Sequence, residues 1–321
     1  MKVVINAIGV LCSIHSVFAW QSGPLPDTLI ERPVIFYPEE VSDDIDKFNT
    51  SFSADGKTIY FTATHQKLGI TGIAYQQFSN GHFQPAQFVP FVSPDTPIAD
   101  VQISPDGQTM LYSTFKDYPQ KPEGFNFNIW KSELENGEWQ APTPLGTPIA
   151  SKGNEFYPVM TSNGNLYFNS DKTGNSDLYY SRLVNGEYQE PVALPSNINT
   201  DRKEADAFIS TDESILIFVR VDEPDGLGNS DLYISFNKGE NQWSNPVNMG
   251  SEVNSTGIDG SPYITPDNKY LIFTTSRMKE GFKEQAMKSF ADFETTIHSS
   301  NNGSLNFYIV SLDLEKYRNR E

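Results

Sequence analysis

Acidic residues that can do chemistry recur once in each of five successive segments of the chain. They are Asp46, Asp100, Glu155, Glu204 together with Asp206, and Asp259. Carboxylates gathered at one place can bind Ca²⁺ or Mg²⁺ through oxygen ligands, or can act as general acid and base on a sugar. If the protein is an enzyme, the catalytic candidates are Glu204, Asp206 and Asp259. If it binds a cation, calcium is the expected ion; no other cofactor or metal is expected.

A basic residue accompanies the acid in every segment, at a matching position: His65, Lys116, Lys172, Arg220 and Arg277. A feature that all segments share is more often structural than catalytic, so the pattern favours ion pairs between neighbouring segments, one per segment. Departures from the pattern are better functional candidates, such as the charged run at residues 201–206 and Gly260, which follows Asp259 where other segments have a larger residue. The ligand-binding candidates are Asp46, Asp100, Glu155, Arg202, Arg220 and Arg277.

The elements that must position these residues are indicated by a repeated turn. It reads Ser53-Ala54-Asp55-Gly56, Ser104-Pro105-Asp106-Gly107, Ser162-Asn163-Gly164, Thr211-Asp212-Glu213 and Thr265-Pro266-Asp267-Asn268. Short runs of β-branched and aromatic residues flank every copy, which is typical of a β-hairpin. A third such run follows, and then a fourth that ends in proline, which belongs on an edge strand.

Four antiparallel strands repeated at this spacing predict a β-propeller. The fifth copy ends after its third strand, and residues 30–36 at the other end of the chain have the pattern of the missing fourth strand. We therefore predict a single all-β propeller over residues 20–321, with five four-stranded blades and an N-terminal strand closing the last blade. A six-bladed propeller is the alternative.

The repeat resembles that of TolB-type propellers. The resemblance is carried by Asn154-Glu155-Phe156-Tyr157-Pro158, by Ser162-Asn163-Gly164-Asn165-Leu166-Tyr167-Phe168 and by Gly174-Asn175-Ser176-Asp177-Leu178-Tyr179, and it runs from about residue 46 to 312. It implies a periplasmic or surface protein, often a module that binds proteins or glycans. TolB itself has six blades and a second domain; neither a sixth repeat nor that domain is found here, so TolB's envelope partners are not transferred.

The irregular segments all fall on one face of such a propeller. The longest is about residues 277–305, where Phe282, Ala286, Phe290 and Phe293 have helical spacing and predict a short amphipathic helix. Long loops on a rigid scaffold usually carry function, although this one could also pack its phenylalanines on the rim. We expect a non-catalytic module that binds an envelope protein or a glycan on this face, or else a carbohydrate-active hydrolase or lyase.

Composition sets the compartment and excludes several classes of protein. A net charge of −18 disfavours nucleic acid and anionic lipid as partners. Residues 1–19 have the pattern of a signal peptide, with Lys2 followed by an apolar stretch and Val17-Phe18-Ala19 at the cleavage site. We expect a periplasmic or secreted monomer without membrane insertion. The only cysteine, Cys12, lies in this peptide, so the mature chain has neither disulfide nor thiol chemistry.

Overall fold

The computed structural model describes residues 23–93, 95–119, 121–122, 126–300 and 302–320. The signal peptide predicted for residues 1–19 lies outside the described residues. No helix within these ranges is long and apolar enough to cross a membrane.

Five small antiparallel sheets follow one another along the chain and form the blades of a propeller. The first strands of neighbouring blades contact one another around the ring, and the first strand of blade 5 reaches that of blade 1. This confirms the five-bladed prediction over the six-bladed alternative. The first three strands of the blades are β2 (Asp46–Phe52), β3 (Thr58–His65) and β4 (Ile70–Ser79) in blade 1, β7 (Ile98–Ile103), β8 (Thr109–Thr114) and β9 (Asn128–Glu135) in blade 2, β12 (Glu155–Met160), β13 (Leu166–Ser170) and β14 (Asp177–Ser181) in blade 3, β18 (Glu204–Ile209), β19 (Ile215–Val221) and β20 (Ser230–Gly239) in blade 4, and β23 (Asp259–Ile264), β24 (Tyr270–Thr275) and β25 (Asn306–Ser311) in blade 5.

The fourth strand of blades 1 to 4 is divided into short pieces that flank a proline. Pro85, Pro142, Pro191 and Pro246 each lie between two pieces, because proline cannot donate to the ladder. The pieces are β5 (His82–Phe83) and β6 (Gln87–Phe88), β10 (Glu138–Trp139) and β11 (Thr143–Pro144), β16 (Glu187–Tyr188) and β17 (Val192–Ala193), and β21 (Gln242–Trp243) and β22 (Val247–Asn248). In blade 3, β15 (Leu183–Val184) pairs with β16 as a separate hairpin.

The N-terminal segment completes blade 5 as predicted. Strand β1 (Val34–Ile35) pairs antiparallel with β25, with Val34 opposite Ile309. Beyond Pro33, the Ser311 N–H donates to the Ile30 carbonyl at 3.0 Å. The first and last parts of the chain therefore share one blade and close the ring.

In blades 1, 2, 4 and 5 the turn between the first and second strands is held by a Ser or Thr two residues before its Asp; in blade 4 this is Ser210, which precedes the predicted turn residues 211–213. The hydroxyls of Ser53, Ser104, Ser210 and Thr265 donate to the aspartate two residues later at 2.6–2.7 Å. The same hydroxyls accept the N–H five residues later at 2.9–3.1 Å. One side chain thus satisfies both ends of the turn, which explains why the repeat requires Ser or Thr before Asp.

Every first strand has a β-bulge at its middle, and the bulge residue has a left-handed backbone. Residues with side chains seldom adopt this conformation, so its presence in all five blades indicates a shared structural requirement. We call these residues the channel ring: Asn49 (φ 55°), Asp100 (φ 60°), Tyr157 (φ 51°), Asp206 (φ 45°) and Ser261 (φ 46°).

Helices are few. The segment between β24 and β25 contains α1 (Phe282–Ala286) and α2 (Phe290–Ile297), and α3 (Leu314–Arg318) follows β25. A 3-10 helix, Gln66–Leu68, lies between β3 and β4. The predicted amphipathic helix is therefore divided into two, because Ser289 begins a new helix by accepting the Asp292 N–H at 3.1 Å.

Candidate functional site

One face of the propeller carries the long connections, and we call it the loop face. It holds the loops from second to third strands and from one blade to the next; the tight turns between first and second strands form the opposite, hairpin face. Nine of the fourteen exposed large apolar residues within the described ranges lie on the loop face. They are Ile45, Leu68, Ile70, Leu227, Ile258, Met278, Met287, Phe290 and Phe293.

The helical insertion at α1 and α2 carries the most exposed members of this set. Met287 is 79% exposed, Phe290 74% and Phe293 39%. The rings of Phe290 and Phe293 stack with centroids 6.0 Å apart. A cavity of about 420 Å³ lies between the two helices, with Phe282 and Thr296 in its wall. The Phe290 ring thus faces solvent, whereas Phe293 is more than half covered, so packing on the rim does not account for Phe290.

The insertion is tied to blade 1 at its base. His298 Nδ1 lies 2.7 Å from Asp44 Oδ2, and Asn306 Nδ2 donates to the Asp43 carbonyl at 2.7 Å. Asp46, a predicted ligand-binding residue, accepts the Leu305 N–H through Oδ1 at 2.9 Å. Asp46 therefore holds the end of the insertion rather than a base, and it also lines a shallow surface cavity with His65.

The channel ring forms a hydrogen-bonded network across the centre of the propeller. Tyr157 in blade 3 reaches blade 5, where its hydroxyl donates to the Pro262 carbonyl at 3.1 Å. Asp100 Oδ2 accepts the Tyr157 N–H at 3.2 Å. Asp206 Oδ2 accepts both the N–H and the hydroxyl of Ser261 at 3.0 Å. Each ring carboxylate thus joins its own blade to the next.

The two ring carboxylates are the predicted acids that meet in the channel. Burial and then the negative charge of Asp206 raise the pKa of Asp100 to about 7. Burial likewise raises the pKa of Asp206, against the two hydrogen bonds from Ser261 that favour its charged form. No lysine or arginine in the described ranges forms an ion pair with either group. The channel thus holds two acids, buried Asp100 and half-buried Asp206, and the charge of Asp206 acts on Asp100.

The acids Glu155, Glu204 and Asp259 begin their strands two residues before the ring and are fully buried. Each accepts the N–H and the hydroxyl of the residue four positions earlier, namely Ser151, Thr200 and Ser255. They clamp the loops that enter blades 3 to 5. Of the three suggested catalytic residues, only Asp206 therefore faces the channel.

The predicted one-to-one ion pairs form in two blades only. In blade 4, Arg220 Nε lies 3.6 Å from Glu204 Oε1; in blade 5, Arg277 donates to Asp259 Oδ1 at 3.1 Å. Both pairs lie within a blade rather than between blades: Glu204 is opposite Arg220 on neighbouring strands, and Arg277 follows two residues after Thr275, which is opposite Asp259. Lys116 and Lys172 instead lie over the rings of Trp130 and Tyr179, so the prediction is wrong for blades 2 and 3. His65 forms no ion pair among the described residues.

The candidate arginines donate hydrogen bonds to backbone carbonyls. Arg220 donates to the carbonyls of Asn197 and Ile198 at 2.8 and 3.0 Å, and Arg277 donates to that of Val253. Both guanidinium groups thereby fix the loop that enters their blade. Arg202 donates to the Asp222 carbonyl and lies 3.7 Å from Glu223, which joins two loops at the surface.

Three members of the channel ring, Asn49, Tyr157 and Ser261, were not predicted as site residues from the sequence. Each ring residue lies six residues before the Asp or Asn of its own turn, so counting back from the turns identifies all five. Aligning the repeats by their acids instead treats Asp100 as equivalent to Glu155. In the structure, the residue of blade 2 that is equivalent to Glu155 is Ile98. The described residues include no group of three or more His, Cys, Asp and Glu side chains arranged to hold a metal ion.

No family model and no curated protein matches the chain. Solved structures with a similar fold include the catalytic domain of a GH62 α-L-arabinofuranosidase from Coprinopsis cinerea, with a TM-score of 0.55, 14% identity and coverage of 88% of this chain and 97% of that one. They also include TolB from Acinetobacter baumannii (TM-score 0.48, 18% identity, 84% of this chain and 55% of that one) and a TolB-like protein from Agrobacterium tumefaciens (TM-score 0.38, 14% identity, 84% and 91%). The chain spans about half the length of the Acinetobacter TolB. The five antiparallel blades of its closed ring give the chain the predicted β-propeller fold.

Proposed function

We propose that the protein is an exported, non-catalytic binding module whose loop face recognises another protein. The observation that carries the proposal is the concentration of exposed apolar side chains on that face, with Met287 and Phe290 the most exposed and Phe293 stacked on Phe290. Exposed apolar patches mark interaction sites, and aromatic anchors dominate the energetics of interfaces. The signal-peptide pattern of residues 1–19 supports export to the periplasm or beyond.

The chemistry of the face favours a protein over a glycan. Its exposed aromatic residues are phenylalanines, which have no polar group for a sugar hydroxyl, and no tyrosine or tryptophan among the described residues is fully exposed. The net charge of −18 favours a partner whose interface has a basic rim. The expected partner thus offers an apolar centre surrounded by Lys or Arg.

Selection from a random peptide library displayed on phage tests this proposal with a defined probe. Peptides selected on the wild-type protein should be rich in apolar and basic residues. Their affinity, measured by calorimetry, should fall at least about tenfold in the double variant Phe290→Ser and Phe293→Ser. The matched control is Val184→Ser with Val192→Ser, which removes apolar residues of similar exposure from the edge of blade 3. Equal loss in both variants, or peptides that bind both normally, would contradict the proposal.

Hydrolysis of a glycoside is the second candidate function, favoured by the convergence of Asp100 and Asp206. Two interacting carboxylates, of which Asp100 has a pKa raised to about 7, have the chemistry of a general acid and a general base. Asp100 is 8% exposed and Tyr157 lies across the channel, so a substrate would have to displace part of the ring.

A panel of plant, algal and cell-envelope polysaccharides, assayed by release of reducing ends, tests this second function. Turnover that is lost in Asp206→Asn and retained in Glu204→Gln would establish catalysis by the ring, because Glu204 is buried in a loop clamp. Absence of turnover with every polysaccharide, or equal turnover by Asp206→Asn and wild type, would exclude it for that panel.

A further inference from the structure

A large cleft lies between the outer parts of blades 1 and 2 and opens towards the hairpin face, away from the proposed protein-binding surface. Its volume is about 760 Å³. Three aromatic rings line it: Tyr60 and Tyr75 from blade 1 and Trp139 from blade 2. Tyr75 and Trp139 are partly exposed, whereas Tyr60 is buried behind them. The cleft is therefore walled by rings that a ligand can reach.

The polar ends of these rings are already used. Trp139 Nε1 donates to the Tyr60 hydroxyl at 3.3 Å, and the Tyr75 hydroxyl donates to Gln87 Oε1 at 2.8 Å. The Tyr60 ring lies 5.9 Å from that of Tyr75 and 6.1 Å, edge to face, from that of Trp139. With the Trp139 N–H and the Tyr75 hydroxyl hydrogen used within the protein, Tyr75 and Trp139 contribute mainly aromatic ring surface to the cleft.

Three carboxylates from Asp55, Asp106 and Glu138 complete the lining. Asp55 and Asp106 accept bonds from the Ser hydroxyl of their turn and from backbone, and these bonds lower the pKa of both carboxyls, which keeps them charged. No lysine or arginine in the described ranges lies at ion-pair distance from any of the three. Among the described residues the lining of the cleft therefore has three carboxylates and no lysine or arginine, although the charge of nearby Lys57 also acts on Asp55.

Aromatic rings next to carboxylates favour a ligand that has positive charges on an aliphatic chain. Ring faces attract organic cations, and carboxylates accept hydrogen bonds from ammonium groups. Phosphorylated and other anionic ligands are repelled by the three acids. A single small ammonium group would fill little of the cleft, whereas a flexible chain with several ammonium groups can reach carboxylates on different walls.

We propose that the cleft between blades 1 and 2 binds an aliphatic polyamine. The methylene segments lie against Tyr75 and Trp139, and the ammonium groups pair with Asp55, Asp106 and Glu138. This proposal does not depend on the proposed protein-binding function of the loop face.

Calorimetric titration of the full chain with spermidine tests the proposal. Choline, which has a single ammonium group, and cellohexaose, a neutral sugar, are titrated as the comparison ligands. Spermidine is expected to bind, and its affinity is expected to fall at high salt. Glu138→Gln should lower its affinity by about fivefold or more, while Glu187→Gln, at the same turn position in blade 3, should leave it unchanged. Trp139→Leu should also weaken binding, and Trp139→Phe, which keeps a ring, should restore part of it.

Four outcomes would overturn the proposal. The first is no binding of spermidine to the wild-type protein at millimolar concentration. The second is an equal loss of affinity in Glu138→Gln and Glu187→Gln, which is the behaviour of general attraction to an acidic chain. The third is binding of choline as tight as that of spermidine, which would assign the cleft to a single ammonium group. The fourth is binding of cellohexaose instead, with a dependence on Trp139, which would make the cleft a neutral sugar site.

Discussion

Asp206 in blade 4 accepts two hydrogen bonds from Ser261 in blade 5, one from its N–H and one from its hydroxyl, both at 3.0 Å. Asp100 accepts the N–H of Tyr157 in the equivalent direction, from blade 2 to blade 3. The ring acids therefore stabilise contacts between blades whether or not they also act on a ligand. A buried carboxylate that loses a donor is costly, so these bonds can be measured as stability.

We expect Ser261→Ala to lower the free energy of unfolding by about 1–3 kcal/mol, because Asp206 loses one of its two donors while the backbone bond remains. Urea denaturation followed by tryptophan fluorescence measures the change. Ser79→Ala, at an exposed strand end of blade 1, is the control and should have little effect. Equal midpoints for both variants would show that the hydroxyl bond contributes nothing measurable.

Arg220→Met should be strongly destabilising, by about 3–5 kcal/mol, because it leaves buried Glu204 without its cation and two carbonyls without their donor. The double variant Arg220→Met with Glu204→Gln should recover part of this loss, since no charge then remains buried. A double-mutant cycle in urea measures the coupling between the two residues. Additive effects in the cycle would rule out a stabilising ion pair.

Glu155 gives the protein a pH-dependent stability. Burial raises the pKa of this carboxyl from 4.5 to about 7, so the folded state binds the proton more tightly than the unfolded state. Its contribution is fully present below pH 4.5 and is lost as the pH rises through about 7. Glu155→Gln should therefore raise the melting temperature at pH 8 by more than at pH 5. An increase that is the same at both pH values would contradict the shifted pKa.

The fold could be predicted because its elements depend on residue types that repeat. A Ser or Thr two residues before Asp is what the hairpin turn needs, and a proline marks each interrupted edge strand. The closing strand at residues 30–36 could be predicted because the fifth copy of the repeat lacks a fourth strand. These are local requirements that a sequence displays directly.

The site was less predictable because it depends on register. Each bulge adds one residue to the first strand, so acids two positions apart, such as Glu204 and Asp206, face a loop clamp and the channel respectively. The choice of partner for Lys116 and Lys172, a ring rather than a carboxylate, likewise depends on distances in space. Neither the effect of the bulge on the direction of a side chain nor the partner of a lysine can be read from residue spacing in the sequence.

The exposure of the helical insertion predicts that its phenylalanines contribute to binding and not to folding. Phe290→Ala should change the free energy of unfolding by less than about 0.5 kcal/mol, because its ring is 74% exposed. Phe273→Ala, in fully buried β24, should cost about 3–5 kcal/mol. Urea denaturation of both variants gives the comparison. A large loss for Phe290→Ala would mean that the ring packs against the propeller.

Closure of the ring depends on Phe36, which directly follows β1 and is 1% exposed. Its ring packs edge to face against Phe52 and Phe83, with centroids 6.4 and 6.0 Å away, so it joins the closing strand to blade 1. Phe36→Ala should cost about 3–5 kcal/mol and loosen β1 from β25. An unprotected β25 edge can pair with another chain, so we also expect concentration-dependent oligomers in size-exclusion chromatography. Leu29→Ala, at a position that is 73% exposed in the same segment, should remain monomeric and stable. Oligomers in neither variant, with an unchanged melting temperature for Phe36→Ala, would show that the ring closes without this contact.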